Sequence, residues 1–274
     1  MWSSLLLAAS TAHAGACCVG STGSAPVGLG ECEHVLAAVY VAPQSVVGRW
    51  DAQGRARSSS LIERGANAGV AFAYRWNRKM QVSVDVPVVW TARQADKQVE
   101  SSGGLGDAGV RFTWDPKEEG AGPVPVFTVG ARAPTGRDWT DATLPLQSDI
   151  TGRQYPSVQA GVSFERTFKR PWSVGLSTGV ALGKEPSTVV LSGTYGKYLD
   201  RWTLVGGLSH ELGFVPGGGA SALSQRTSVS GRAVYGKRLR FRTWGEVGAD
   251  VPVSYLGVSA NQTAHVSAGV AVIR

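Results

Sequence analysis

Between Trp172 and Gly183 the chain alternates without a break: Trp172, Val174, Leu176, Thr178, Val180 and Leu182 interleave with Ser173, Gly175, Ser177, Gly179, Ala181 and Gly183. Period-two alternation sends the two sets to opposite faces of a strand, one oily and the other small and polar. The pattern recurs in about a dozen segments, separated by turns and often capped by tryptophan. No run approaches the roughly 18 to 20 apolar residues of a membrane-spanning helix. In hydrocarbon every backbone N–H and C=O needs an internal partner, so strands cross a membrane only as a closed barrel. The expectation is therefore all-β: a single antiparallel transmembrane β-barrel of about 12 strands in the bacterial outer membrane. The 36 glycines then read as lumen-facing or strand-packing positions.

The first sixteen residues read as a secretory signal peptide: a short Met1 to Ser4 start without Lys or Arg, the apolar Leu5 to Ala9, then the small-residue sites Ala12-His13-Ala14 and Ala14-Gly15-Ala16. Residues 17–33 read as a periplasmic segment and 34–274 as the barrel. Cys17, Cys18 and Cys32 fall in that Gly/Ser-rich segment, where either a disulfide from Cys17 or Cys18 to Cys32, or acylation of Cys17, fits an exported chain. The segment is also placed to enter the bore as a plug. No Cys-X-X-Cys spacing is present, and no metal or cofactor is expected.

Strands are expected at about Val35 to Trp50, where alternation is poor and Pro43 interrupts, then Ala66 to Trp76, Met80 to Thr91, Asp107 to Trp114 and Phe127 to Arg132. Seven more follow: Tyr155 to Phe168, Trp172 to Gly183, Ser187 to Tyr198, Trp202 to Leu212, one through Ser228, Ser230 and Arg232, Phe241 to Val253, and Thr263 to Val272. Long polar loops are expected at Asp51 to Ser60, Arg93 to Gly104, Thr135 to Gln154 and Gly213 to Gln225. They alternate with short turns, except at Lys184 to Pro186, as expected when one rim faces outside and the other the periplasm.

Trp76, Trp114, Trp172, Trp202 and Phe241 all fall beside short turns on the outward parity, with Trp90 outward elsewhere. Amphipathic rings favour the headgroup level, so these form a membrane-interface set facing outer-membrane lipid. The formal charge of +7 is dispersed over turns such as Lys169-Arg170-Pro171 rather than gathered on one element, which excludes nucleic acid as the expected partner. The inward parity carries Asp85, Asp107, Arg111, Arg132, Glu165, Glu211, Arg232, Glu246 and Asp250. Charges in a narrow bore must pair or stay hydrated. They therefore either brace a closed interior or line a solute path. Twelve strands lie between the filled interior of about eight and the open pore of about sixteen.

Gly104-Leu105-Gly106-Asp107 opening one strand, and Ala133-Pro134-Thr135-Gly136-Arg137-Asp138 closing the next, resemble the signature of the transporter family named after the MetA pathway of phenol degradation. The resemblance covers Gly65 to Phe168, and of the family's features only Asp107 and the Pro134-Thr135-Gly136 turn are carried over. It implies an outer-membrane barrel passing small, often hydrophobic, organic solutes. The cysteines depart from the pattern, as does the last strand, which the barrel-assembly machinery would read and which ends Val272-Ile273-Arg274 rather than on an aromatic.

The expected function is passive diffusion of small, hydrophobic or aromatic, solutes through the barrel. The alternatives are a closed structural barrel whose external loops bind a partner, and an outer-membrane lipid hydrolase. For the last, His265 and Ser267 share one face two residues apart, with Glu246 as an orienting group on the neighbouring strand. Gly217-Gly218-Gly219 lacks the lysine of a phosphate loop, and Asp138, Asp141 and Asp149 lack calcium-loop spacing and are expected to be solvated loop acids.

Overall fold

The computed structural model describes residues 33–50, 56–57, 61–95, 97–116, 125–138, 140–152, 155–167, 172–183, 187–199, 202–214, 223–235, 241–251 and 261–274. They form one antiparallel sheet of 14 strands: β1 (Val35–Trp50), β2 (Ala56–Arg57), β3 (Leu61–Asn77), β4 (Met80–Ala95), β5 (Gln98–Leu105), β6 (Gly109–Trp114), β7 (Pro125–Arg132), β8 (Ser157–Thr167), β9 (Trp172–Gly183), β10 (Ser187–Tyr198), β11 (Trp202–Phe214), β12 (Leu223–Tyr235), β13 (Phe241–Val251) and β14 (Asn261–Ile273). Setting aside the two-residue β2, and counting β5 with β6 as one interrupted strand, the sheet is a ring of twelve. The candidate signal segment, Cys17, Cys18 and Cys32 lie outside the described residues.

The ring closes where β1 pairs with β14, from Leu36↔Ile273 to Arg49↔Asn261. The last residue completes the seam: the Arg274 amide donates to the Val35 carbonyl at 3.0 Å, and the Arg274 carbonyl accepts the His34 and Val35 amides. A closed ring leaves no row of unpaired backbone groups, which hydrocarbon would not tolerate.

Burial follows the inverse of a soluble protein's alternation. On β4, Gln81, Ser83, Thr91 and Arg93 are buried while Val84, Val86, Val88 and Trp90 are exposed. On β3, Glu63, Asn67 and Arg75 are buried while Ile62, Val70, Phe72 and Trp76 are exposed. The poor alternation of β1 has a physical cause. Its outward Val39 and Val41 are apolar, and so are its inward Leu36, Ala38, Tyr40 and Ala42. Leu36, Ala38 and Tyr40 belong to an apolar cluster on the inner wall with Ala71, Ala73, Val234, Trp244, Ala271 and Ile273, so one sector of the interior is oily rather than polar.

Two expectations are corrected between β4 and β7. The segment Arg93 to Gly104 is a hairpin rather than a loop: β4 runs on to Ala95 and β5 returns along it, pairing Arg93 with Glu100 and Thr91 with Ser102. A strand that extends past the hydrocarbon needs no oily face, so its polar sequence resembles a loop. The strand expected from Asp107 begins instead at Gly109, and the ladder between β5 and β6 is broken. Leu105 pairs with Val88 and Gly109 pairs with Asp85, so Gly106, Asp107 and Ala108 stand against only two β4 residues and form a bulge.

The outward face predicts its own test. Val70 is 56% exposed in the middle of β3. Val70→Lys should destabilise the lipid-inserted barrel by roughly 2–4 kcal/mol, read as a lower urea midpoint for unfolding from vesicles.

Candidate functional site

The inner face of the ring is the candidate site, and its first feature is how side chains lie on it. Tyr40 reaches from β1 across Gly69 on β3, where an added Cβ would stand 2.8 Å from the tyrosine hydroxyl. Asp85 lies over Gly109 and Gln159 over Gly130, with added Cβ atoms 2.6 and 2.7 Å from their polar ends. Trp244 covers Gly269 and His265 covers Gly248 in the same way. Glycine on one strand lets the large side chain of the next lie flat along the wall instead of pointing across the bore.

The inward charges are arranged in pairs. Arg93 Nε donates to Glu63 Oε2 at 3.1 Å, with both side chains under a tenth exposed. Arg232 Nε donates to Glu246 Oε2 at 2.7 Å, and a second guanidinium nitrogen reaches the same oxygen. Arg242 Nη2 meets Glu33 Oε1 at 2.5 Å, which ties the chain ahead of β1 to the inner face of β13. Arg132 Nη2 stands 3.9 Å from Asp85 Oδ2, and Asp85 also acts electrostatically on Arg111. A bracing role and a path role are both open to such pairs, because a pair along the wall spans no lumen.

Of the inward residues expected from sequence, Asp85, Arg111 and Arg132 are brought together on β4, β6 and β7, and Arg232 with Glu246 on β12 and β13. Glu211 is buried on β11, away from either group. Glu165 and Asp250 sit on β8 and β13, with side chains outside the described residues. Outward, Trp76, Trp90, Trp114, Trp202 and Phe241 are 41–62% exposed, and the Trp172 side chain is outside the described residues. Beside the short turns the outward rings meet their neighbours, Trp76 with Phe112, Trp114 with Phe127 and Trp202 with Tyr235, at centroid distances of 5.8, 5.3 and 4.9 Å.

Asp107 has a different post. It occupies the bulge and accepts the Gly136 amide at 3.1 Å. Thr135 Oγ1 donates to the Gly106 carbonyl at 2.6 Å and accepts the Ala108 amide at 2.9 Å, so it substitutes for the partner strand that the bulge removes. Thr151 Oγ1 then donates to the Leu105 carbonyl at 2.7 Å and accepts the Arg137 amide at 2.9 Å. Gly136 and Gly152 cross so closely that a Cβ on either would meet the other's backbone at 2.6 Å. The two motifs singled out in sequence are halves of one joint.

That joint carries residues 140–152 back against the inner side of the β4–β5 hairpin. Arg93 Nη1 donates to the Leu146 and Gln147 carbonyls at 2.9 and 2.8 Å, and Glu100 Oε2 accepts the Leu146 amide at 2.8 Å. Gln147 has a φ of 55°, uncommon without glycine, and these bonds hold it there. Ser148, Asp149, Ile150 and Thr151 are buried, so Asp149 is not the solvated acid its sequence context suggests. Asp138 does stay at the surface, where it caps the Thr140 and Asp141 amides. Sequence reasoning missed Tyr40, Arg93 and Gln159 as site residues. The parity of Arg93 opposite Glu63 was the available signal.

His265 turns toward β13 rather than toward Ser267. Its Nε2 lies 3.5 Å from Glu246 Oε1, its ring covers Gly248, and among the described residues no hydrogen bond joins it to Ser267. Glu246 is held by Arg232, so the geometry does not assemble a hydrolytic relay.

A closed antiparallel ring with an apolar outer face and a charged inner face is a bacterial outer-membrane β-barrel, and this chain is of that class and belongs in that membrane. No family model and no curated protein matches it. Among solved structures it is similar to the COG4313 outer membrane channel from Pseudomonas putida F1, with a TM-score of 0.72 at 14% identity over 88% of this chain and 96% of that one. It is also similar to the translocator domain of the autotransporter NalP from Neisseria meningitidis, with a TM-score of 0.52 at 11% identity over 87% and 88% of the two chains. These likenesses are of fold.

Two predictions follow from the wall. Gly109→Leu, where an added Cβ meets only the Asp85 side chain, should push Asp85 off β6 and toward the bore, lowering any single-channel conductance by about half, for about one side chain's width lost from a narrow lumen, while heat-modifiable gel migration stays intact. Burial raises the Asp149 carboxyl, but the Thr143 amide and hydroxyl and the Arg137 guanidinium outweigh it and hold it at about 2. A depressed value stabilises the folded segment above the ordinary pKa of about 3.9, and that contribution is lost as pH falls toward the folded value. Pepsin should therefore begin to cut within 140–147 only as pH drops from about 4 to about 2, whereas Asp149→Asn should be cut across the whole range.

Proposed function

We propose that this chain is an outer-membrane channel passing small solutes by passive diffusion through a narrow, hydrated bore, and that it is of the type named after the MetA pathway of phenol degradation. The observation that carries the channel reading is the flat lay of Tyr40, Asp85, Gln159, Trp244 and His265 over glycines, which holds these side chains along the wall of a twelve-stranded ring. What supports the family reading is that its two motifs meet in one hydrogen-bonded joint, through Thr135 and Asp107. The mixed wall, oily on β14, β1 and β3 and charged on β4, β6 and β7, suits solutes with an apolar body and a polar end. The outward Trp76, Trp114, Trp202 and Phe241 hold the barrel at the lipid headgroup level.

The closed-barrel reading has support in the buried Arg93–Glu63 and Arg232–Glu246 pairs, which also brace the wall. Flux separates the two. Proteoliposomes carrying the refolded chain should swell in small amino acids and benzyl alcohol and exclude a trisaccharide; no flux of any solute from a heat-modifiable barrel would establish the closed reading instead.

A further inference from the structure

Besides Arg75 on β3, five described arginines face the interior, and one group of them is short of carboxylates. Arg93, Arg232 and Arg242 have Glu63, Glu246 and Glu33 respectively, at hydrogen-bonding distance. Arg111 and Arg132 share Asp85 between them. They are diagonal neighbours on the inner face, because Arg111 pairs with Gly130 and Arg132 pairs with Gly109 in the β6–β7 ladder. Neither glycine puts a side chain between the two guanidinium groups. Asp85 lies over Gly109, and its approach to Arg132 is 3.9 Å, an ion pair without a hydrogen bond. Arg132 Nε is buried and has no hydrogen-bond partner, although its side chain retains 14% exposure to the lumen.

We propose that Arg111 and Arg132 form an anion-binding subsite in the channel wall, and that the solutes it selects are small carboxylates. The proposal rests on the channel reading and names its substrate class. A guanidinium offers two parallel N–H donors that match a carboxylate, and two guanidiniums beside one Asp85 leave a local excess of one positive charge and unspent donors. The Gln159 amide lies over Gly130 at the same level. On the other flank, Tyr40 crosses Gly69 toward β4 and interacts electrostatically with Asp85 and Arg132. A small carboxylate thus finds guanidinium donors that match its two oxygens, a monatomic anion meets them singly, and a cation is repelled by them.

The test compares benzoate, benzylamine and chloride on the full chain in planar bilayers, with benzoate titrated calorimetrically into the detergent-solubilised barrel. The wild type should prefer chloride to potassium, and millimolar benzoate should interrupt the current where benzylamine does not. Arg111→Gln with Arg132→Gln should weaken benzoate binding about tenfold, the scale of one lost charge-assisted contact, and Asp85→Asn should strengthen it. Equal responses to benzoate and benzylamine, or an unchanged double variant that migrates as a folded barrel, would overturn the subsite. A benzoate response weakened by Asp85→Asn would do the same. Current interrupted by chloride-competitive inorganic anions as readily as by benzoate would overturn the carboxylate selection. Calorimetric benzoate binding by a barrel that passes no current would keep the subsite and sink the channel reading.

Discussion

Everything in this molecule depends on one seam, the backbone ladder between β1 and β14. A membrane offers peptide groups no water, so a sheet that failed to meet itself would expose an unpaired edge to hydrocarbon. The seam runs from Leu36↔Ile273 to Arg49↔Asn261, and the main chain of His34, Val35 and Arg274 extends it past both strand ends. Because the register is locked there, the parity of every other strand follows. A shift of one residue would move Tyr40 and Gln44 into lipid and Val39 and Val41 into the lumen. The arginine and carboxylate pairs depend on the same register, since Arg232↔Glu246 is a directly opposed couple in the β12–β13 ladder.

The outer face was legible in the amino-acid sequence because lipid imposes one uniform demand on it. Val84, Val86, Val88 and Trp90 announce a strand without help from their partners. The inner face was legible only in part, because its demands are local and differ from sector to sector. Leu36, Ala38 and Tyr40 are as apolar as the outward valines beside them, so alternation fails on β1 although the strand is regular. Arg93 to Gly104 failed for the opposite reason, since outside the hydrocarbon neither face needs to be oily. Which side chains lie flat cannot be read from one strand at all. It requires knowing that Gly69 stands opposite Tyr40 and Gly269 opposite Trp244, a fact of pairing rather than of sequence.

The joint at Gly106 to Ala108 shows how a break in the ladder is tolerated. Opening a sheet strands a carbonyl and an amide, and one threonine hydroxyl, being both donor and acceptor, satisfies the pair from Gly106 and Ala108. Thr151 repeats the device one turn along, at Leu105 and Arg137. The long segment after β7 is therefore held as part of the wall's own hydrogen bonding. Its inward fold against Arg93 and Glu100 is a continuation of the sheet by other means.

The glycines under Tyr40, Asp85, Gln159, Trp244 and His265 separate two quantities usually treated as one. Strand number sets the circumference of a barrel, but the free aperture is set by how many lining residues can recline. Changing the first requires adding a hairpin and re-registering the seam. Changing the second can take a single codon at a glycine such as Gly109, where an added Cβ meets only the covering Asp85 side chain. A lineage of twelve-stranded barrels can thus explore many permeabilities on one scaffold, and sequence drift at these glycines, in step with the residues that cover them, is where that exploration would be written.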